Sequence, residues 1–95
     1  MKLISISDSP KEDKKLMAIF DNDGRKKTVH FGAKGMDDYT ITHDKDQRTR
    51  YRTRHAKDLK TGDPSKAGFL SYYVLWGDST SRKTNISSYK KHFNL

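Results

Sequence analysis

The sequence predicts an α+β fold: a small N-terminal antiparallel sheet followed by about three helices, the first of them basic. Three observations carry this. Short apolar runs of strand length are confined to residues 1–41, and apolar residues at helical spacing appear only after residue 42. Between two of the early runs stands Asn22-Asp23-Gly24, whose residues tolerate the positive φ that a tight hairpin needs. Strands first and helices after is the order of an α+β domain. At 95 residues the chain is expected to form one domain, 1–95, with a strand-rich half at 1–41 and a basic helical half at 42–95.

Lys2 to Ser7 sets Leu3, Ile4 and Ile6 among serines and reads as a first strand. Asp8 to Asp13, with Pro10 inside it, reads as a surface loop. Leu16 to Phe20 is an apolar run, and Arg25 to Phe31 follows the hairpin signal, so strands are predicted near 15–21 and 26–32. Gly32 and Gly35 predict a tight bend. A phosphate-cradling loop is the alternative there, but no Gly-Lys-Ser/Thr follows to make a Walker motif. Tyr39 and Ile41 are expected to pack inward.

Residues 42–57 have the highest charge density in the chain, with Arg48, Arg50, Arg52 and Arg54 at every second position around Tyr51. Two local conformations fit. A helix starting near Asp44, capped by Thr42 or His43, puts Asp44, Arg48, Tyr51 and His55 in one stripe and Arg50, Arg54 and Lys57 on the other side. Its acids then lie at the positive end and its cations near the negative end. A strand would turn all four arginines one way, and the β-branched Thr49 and Thr53 favour it.

Lys57 to Gly62 reads as a loop. Asp63-Pro64 has the chemistry of a helix start, with Asp as N-cap and Pro at the first position. The helix it opens carries Phe69, Leu70, Tyr73, Val74 and Trp76, is the most apolar element, and has Gly77 placed as its stop. Gly68 inside it predicts close packing against a neighbour. A last helix is predicted over about 82–92, burying Ile86, Tyr89 and Phe93.

Composition narrows the function. There is no cysteine, so disulfides and thiolate metal sites are excluded. No apolar run is long enough to span a membrane, and the N-terminal residues do not read as a secretion signal. The formal net charge is +8. Residues 1–41 hold eight basic and seven acidic side chains, and residues 42–95 hold twelve and five, so the charge sits almost wholly in the second half. Such an imbalance is the footprint of a polyanion-binding surface. Plain solubility is the bland alternative.

The arginine cluster is the leading site. Arginine presents a planar, permanently charged fork that grips phosphate or carboxylate. The expected nucleic-acid-binding set is Lys45, Arg50, Arg52, Arg54 and Lys57, with Lys90 and Lys91 of the last helix. Asp44, Arg48, Tyr51, His55, Phe69, Tyr73 and Trp76 are expected to be structural. The competing view is a solvated helix face with Arg48 paired to Asp44 at i,i+4. Tyr72 is the aromatic most open to an outside position, where it could stack on a base. His43, Asp44, Asp46 and His55 are the only candidates for metal or acid–base chemistry, but nothing at metal-binding spacing completes them. No cofactor, metal or enzymatic activity is expected.

The motifs His30-Phe31-Gly32-Ala33-Lys34-Gly35, Asp38-Tyr39-Thr40, His43-Asp44, Arg48, Arg50-Tyr51, Arg54-His55, Asp63-Pro64, Ala67-Gly68-Phe69-Leu70-Ser71 and Leu75-Trp76-Gly77 occur in this order. Together they resemble a family of small basic proteins encoded by large double-stranded DNA viruses of eukaryotes, the mimivirus-like and chlorella-virus-like groups. The resemblance covers about residues 17–93. Members tend to have helix formers where this chain has Thr49 and Thr53, which implies that the basic stretch is helical. They also tend to have a tryptophan before the Asp-Pro pair, which this chain lacks. The resemblance implies a viral setting, a virion or a viral factory in the host cytoplasm, and no activity.

The expected function is therefore non-enzymatic binding to the nucleic-acid phosphate backbone, DNA ahead of RNA. The alternative is a minor capsid or cement protein whose basic face docks acidic surfaces of a viral capsid protein. A shell protein would also expose apolar side chains at its edges.

Overall fold

In the computed structural model, which describes residues 1–95, β1 (Lys2–Asp8), β2 (Lys14–Asn22) and β3 (Arg25–Ala33) form one antiparallel sheet in the order β1-β2-β3. Asn22 pairs with Arg25, which leaves Asp23-Gly24 as a two-residue turn with φ of 54° and 87°. Positive φ at both positions is the type I′ geometry that the twist of a hairpin favours. Asp21 Oδ1 accepts a hydrogen bond from Gly24 N at 2.8 Å and steadies it. Alternation along the strands puts Leu3, Leu16, Ala18, Phe20 and Phe31 on one buried face. The β1–β2 register shifts between Leu3 and Ser5, so Ile4 stands out of the alternation at 49 % exposure.

The helices cover that face. α1 (Tyr39–Thr42) is a single turn capped by Asp38 and closed by His43 at a φ of 59°. The closure lets α2 (Lys45–His55) start at once, with Asp44 Oδ1 accepting from Asp46 N and Gln47 N. The cap is thus Asp44, not Thr42 or His43. Thr49 and Thr53 are accommodated because their hydroxyls donate to Lys45 O and Thr49 O one turn back. The basic stretch is a helix, and the strand alternative fails.

Residues Ala56–Thr61, expected as loop, continue the chain as a 3₁₀ helix that Gly62 closes at a φ of 67°. α3 combines an α-helical turn, Ala67–Leu70, with a π-helical stretch, Ser71–Leu75. It begins later than Asp63-Pro64 predicts. Asp63 Oδ1 accepts from Ser65 N and Ser65 Oγ, which folds the pair into a local turn, and the Tyr89 hydroxyl bonds Pro64 O. Lys27 Nζ donates to Ser65 Oγ at 2.7 Å and pins the turn to β3. α4 (Arg82–His92) starts at Ser81, whose hydroxyl accepts from Thr84 N.

The core unites Leu3, Leu16, Ala18, Phe20 and Phe31 with Tyr39, Leu70, Val74, Leu75, Trp76 and Tyr89. Phe69 is buried as well, while Tyr73, Ile86 and Phe93 are half-buried against this core. Ile41 does not pack inward: it is 53 % exposed, because the one-turn helix directs only Tyr39 to the core. Gly77 does follow α3, for a steric reason in place of a left-handed one. A Cβ there would lie 2.2 Å from Tyr73 O and 2.8 Å from Asn85 Cγ. Asn85 fills that corner, donating from Nδ2 to Val74 O and Ser79 O at 2.9 and 2.8 Å. Gly68 packs as closely as predicted, its Cβ position lying 3.0 Å from Asp58 Cβ.

Candidate nucleic-acid interface

The 3.6-residue period divides the charges of α2 between two faces. Gln47, Arg48, Tyr51, Arg52 and His55 are half-buried, and Lys45, Thr49, Arg50, Thr53 and Arg54 are exposed. No residue of α2 is fully buried, and Tyr51 is its one aromatic packed against the core.

Rings and guanidinium groups seat it. Tyr51 lies parallel to Trp76 at 4.2 Å and 6°, and His55 covers its other side at 4.1 Å. Burial raises the Tyr51 phenol to about 12, with the Asp58 carboxylate adding to the rise. Arg48 lies over the Tyr39 ring at 4.6 Å, and its Nη1 donates to Asp78 O and Gly77 O at 3.2 and 3.4 Å. The Asp44–Arg48 pair of the competing view does not form, because the cap occupies the carboxylate and the carbonyls occupy the guanidinium.

Arg52 also turns inward. Its Nε donates to Trp76 O at 2.8 Å, its Nη2 bonds Asp78 Oδ1 at 3.0 Å, and its guanidinium lies 5.6 Å from the Tyr72 ring centre. The carbonyls of residues 76, 77 and 78 thus all accept from arginines of α2. Arg52 belongs to the seat of the helix and stands apart from the free cations with which the sequence grouped it. Tyr72, expected outside, is half-buried beneath it.

Lys45, Arg50 and Arg54 of α2 and Lys57 of the following 3₁₀ turn are exposed and make no ion pair. From Lys45 to Arg54 the helix rises roughly 14 Å at about 1.5 Å per residue. Nearby acids are partly engaged: Asp44 caps the helix, and Asp58 Oδ2 meets His55 Nδ1 at 3.0 Å. Asp46 is exposed in the first turn. Beside the strip a cleft of about 570 Å³ opens between α2 and the β3–α1 connection, with Lys14, Gln47, Arg54 and His55 among its lining.

Lys90 and Lys91 are exposed on α4, which packs mainly on the 71–75 segment. Lys90 lines a different cleft, against β1 and β2. The structure therefore does not unite Lys90 with the α2 strip.

One polar centre escaped the sequence. Asp38 is 1 % exposed and bonds Lys15 Nζ at 2.6 Å, Arg82 Nη2 at 3.3 Å and both the amide and the hydroxyl of Thr40. Burial alone would push its carboxyl up, but the bonds from Lys15 and Thr40 and the charge of Arg82 hold it below the ordinary value of 3.8. Asp38 two places before Thr40 was the visible cue for the cap; the pairing with Lys15 and Arg82 exists only in three dimensions. No group of three or more His, Asp or Glu side chains converges on a point where a metal would sit.

A family model described as a family of unknown function, DUF5754, matches residues 4–55, more than half of the chain, from within β1 to the end of α2. No curated protein and no solved structure matches the chain.

Proposed function

The chain belongs to the DUF5754 family, and we propose that it binds the phosphate backbone of nucleic acid without catalysing a reaction. The observation that carries this reading is the division of labour on α2. Arg48 and Arg52 are consumed by the carbonyls of residues 76–78 and by the Asp78 carboxylate, while Lys45, Arg50, Arg54 and Lys57 remain exposed and without ion pairs. A helix held by one face and carrying free cations around its exposed surface suits contact with phosphates. Such contact reads no sequence, so the binding is non-specific. In the viral setting that the sequence resemblance implies, the polyanion is genomic DNA, in a virion or a viral factory.

The test is a titration of a labelled random-sequence duplex across salt concentrations, with Arg50→Ala/Arg54→Ala/Lys57→Ala alongside. Each phosphate neutralised contributes about −0.9 to the slope of log K against log salt, so the triple variant should lose up to roughly 3 of that slope. Absence of binding at low salt would reject the reading.

A second reading is favoured by a separate observation. Ile4, Met36 and Ile41 are exposed large apolar side chains, at 49, 65 and 53 %. Exposed apolar groups of this kind suit a minor capsid protein that docks an acidic capsid surface. Saturating DNA binding with no measurable affinity for capsid protein would set this second reading aside.

A further inference from the structure

The cations of α4 have a setting of their own. Between α4 and the β1 side of the sheet runs a cleft of about 520 Å³. Ile6, Leu16 and Ile86 supply its apolar lining, and Arg82, Lys83 and Lys90 its positive charge. Arg82 is engaged with Asp38 and Thr40, but Lys83 and Lys90 make no ion pair. They are seven residues apart, hence on one side of the helix and roughly 10 Å apart along it, with Ile86 between them.

The other wall of the cleft is a sheet edge. β1 pairs only with β2, so its far side carries unpaired N–H and C=O groups. The bulge at Ile4 disturbs one end only; Ser5, Ile6, Ser7 and Asp8 continue in unbroken register with Ile19, Ala18, Met17 and Leu16. Ile6, Ser7 and Asp8 of this regular part are the residues that line the cleft. Ile6 is left half-buried, at the margin of the core.

We propose that β1 and α4 form a docking site for an extended acidic segment of a partner protein, which adds to the sheet as a fourth strand. The free edge supplies main-chain hydrogen bonds. Alternate side chains of the added strand face α4, where an acid–apolar–acid order meets Lys83, the Ile6/Ile86 floor and Lys90. A nucleic-acid strand fits this place less well: it would cover an apolar floor with phosphates, and it has no peptide groups to pair with the strand edge. The site is separate from the exposed face of α2, and either can exist without the other.

The probe is a fluorescein-labelled peptide, Thr-Glu-Thr-Ile-Thr-Glu-Thr, followed by anisotropy at low salt. Binding is expected, and Lys83→Ala/Lys90→Ala should weaken it about tenfold, as two surface ion pairs would. Because both lysines are exposed, the variant should melt with the parent. Methylation of alternate peptide nitrogens should abolish binding, and Arg50→Ala/Arg54→Ala should leave it unchanged. Amides of Ser5 to Asp8 should gain protection from hydrogen exchange on binding. The proposal is overturned if the peptide does not bind, if the methylated peptide binds equally, or if the protection appears on α2 in place of β1. It is also overturned if vesicles containing phosphatidylserine bind through Lys83 and Lys90 while the peptide does not.

Discussion

Helices α2 and α3 are close neighbours held by opposite means. α3 and its π-helical continuation bury Phe69, Leu70, Val74 and Leu75, and would lose their place only if water reached them. α2 buries nothing completely and is held by guanidinium groups on carbonyls and by stacked rings. Burial is non-directional and tolerates sliding; hydrogen bonds and stacking fix one angle and one register. A helix that must present cations at fixed positions gains from the second kind of attachment. The same comparison shows why four arginines in one run do two jobs: the helical period, and nothing about the residues themselves, separates Arg48 and Arg52 from Arg50 and Arg54.

The largest effect should come from the apolar side. Leu70→Ala empties a fully buried position and should cost about 2–5 kcal/mol, read from the urea midpoint. If it costs no more than a surface change, α3 is not the anchor that the comparison makes it.

Asp38 combines the two modes, being buried yet held by charge. Asp38→Asn leaves Lys15 without its counter-charge and should cost roughly 3 kcal/mol. The pH dependence follows from the lowered folded-state value. The Asp38 contribution is fully present above the unfolded value near 3.8 and is lost as pH falls below it toward the lower folded value. Melting between pH 5 and 2.5 should therefore be less steep in Asp38→Asn than in the parent; equal slopes would remove Asp38 from the acid transition.

The finest division is within α2. Arg52→Lys keeps the charge but loses the fork that reaches Trp76 O and Asp78 together, and should cost about 1–2 kcal/mol. Arg54→Lys, at an exposed and unpaired position, should stay within about 0.5 kcal/mol. Equal costs would erase the distinction between the faces.

Much of this was legible. The Asp23-Gly24 turn was visible because its chemistry is local, and the acid-first, cation-last order of α2 was visible for the same reason. The seat of α2 was only half legible. Period placed Arg48, Tyr51 and His55 on one stripe, and Arg52, one turn after Arg48, lies beside them; the carbonyls of residues 76–78 that receive the two arginines have no signature in side-chain identity. Asp63-Pro64 misled because a good helix start is also a good turn, and Tyr89, distant in sequence, decided between them. The Asp38 centre joins residues 15, 38, 40 and 82, which no local pattern connects.

The carbonyls of residues 76–78 bear on how this joint is inherited. Three of the arginine bonds of α2 end on main-chain carbonyls, and that part of its anchorage is blind to side-chain identity; the Trp76 ring and the Asp78 carboxylate supply the rest. Gly77 is the exception, since any Cβ there would strike Tyr73 O and Asn85. A substitution at position 78 therefore removes the ion pair with Arg52 but leaves the carbonyl bonds in place, provided that the path of the chain is preserved. What descends in such a joint is in good part a curve of backbone, spelled in letters only by the arginines, Trp76, Gly77 and Asp78.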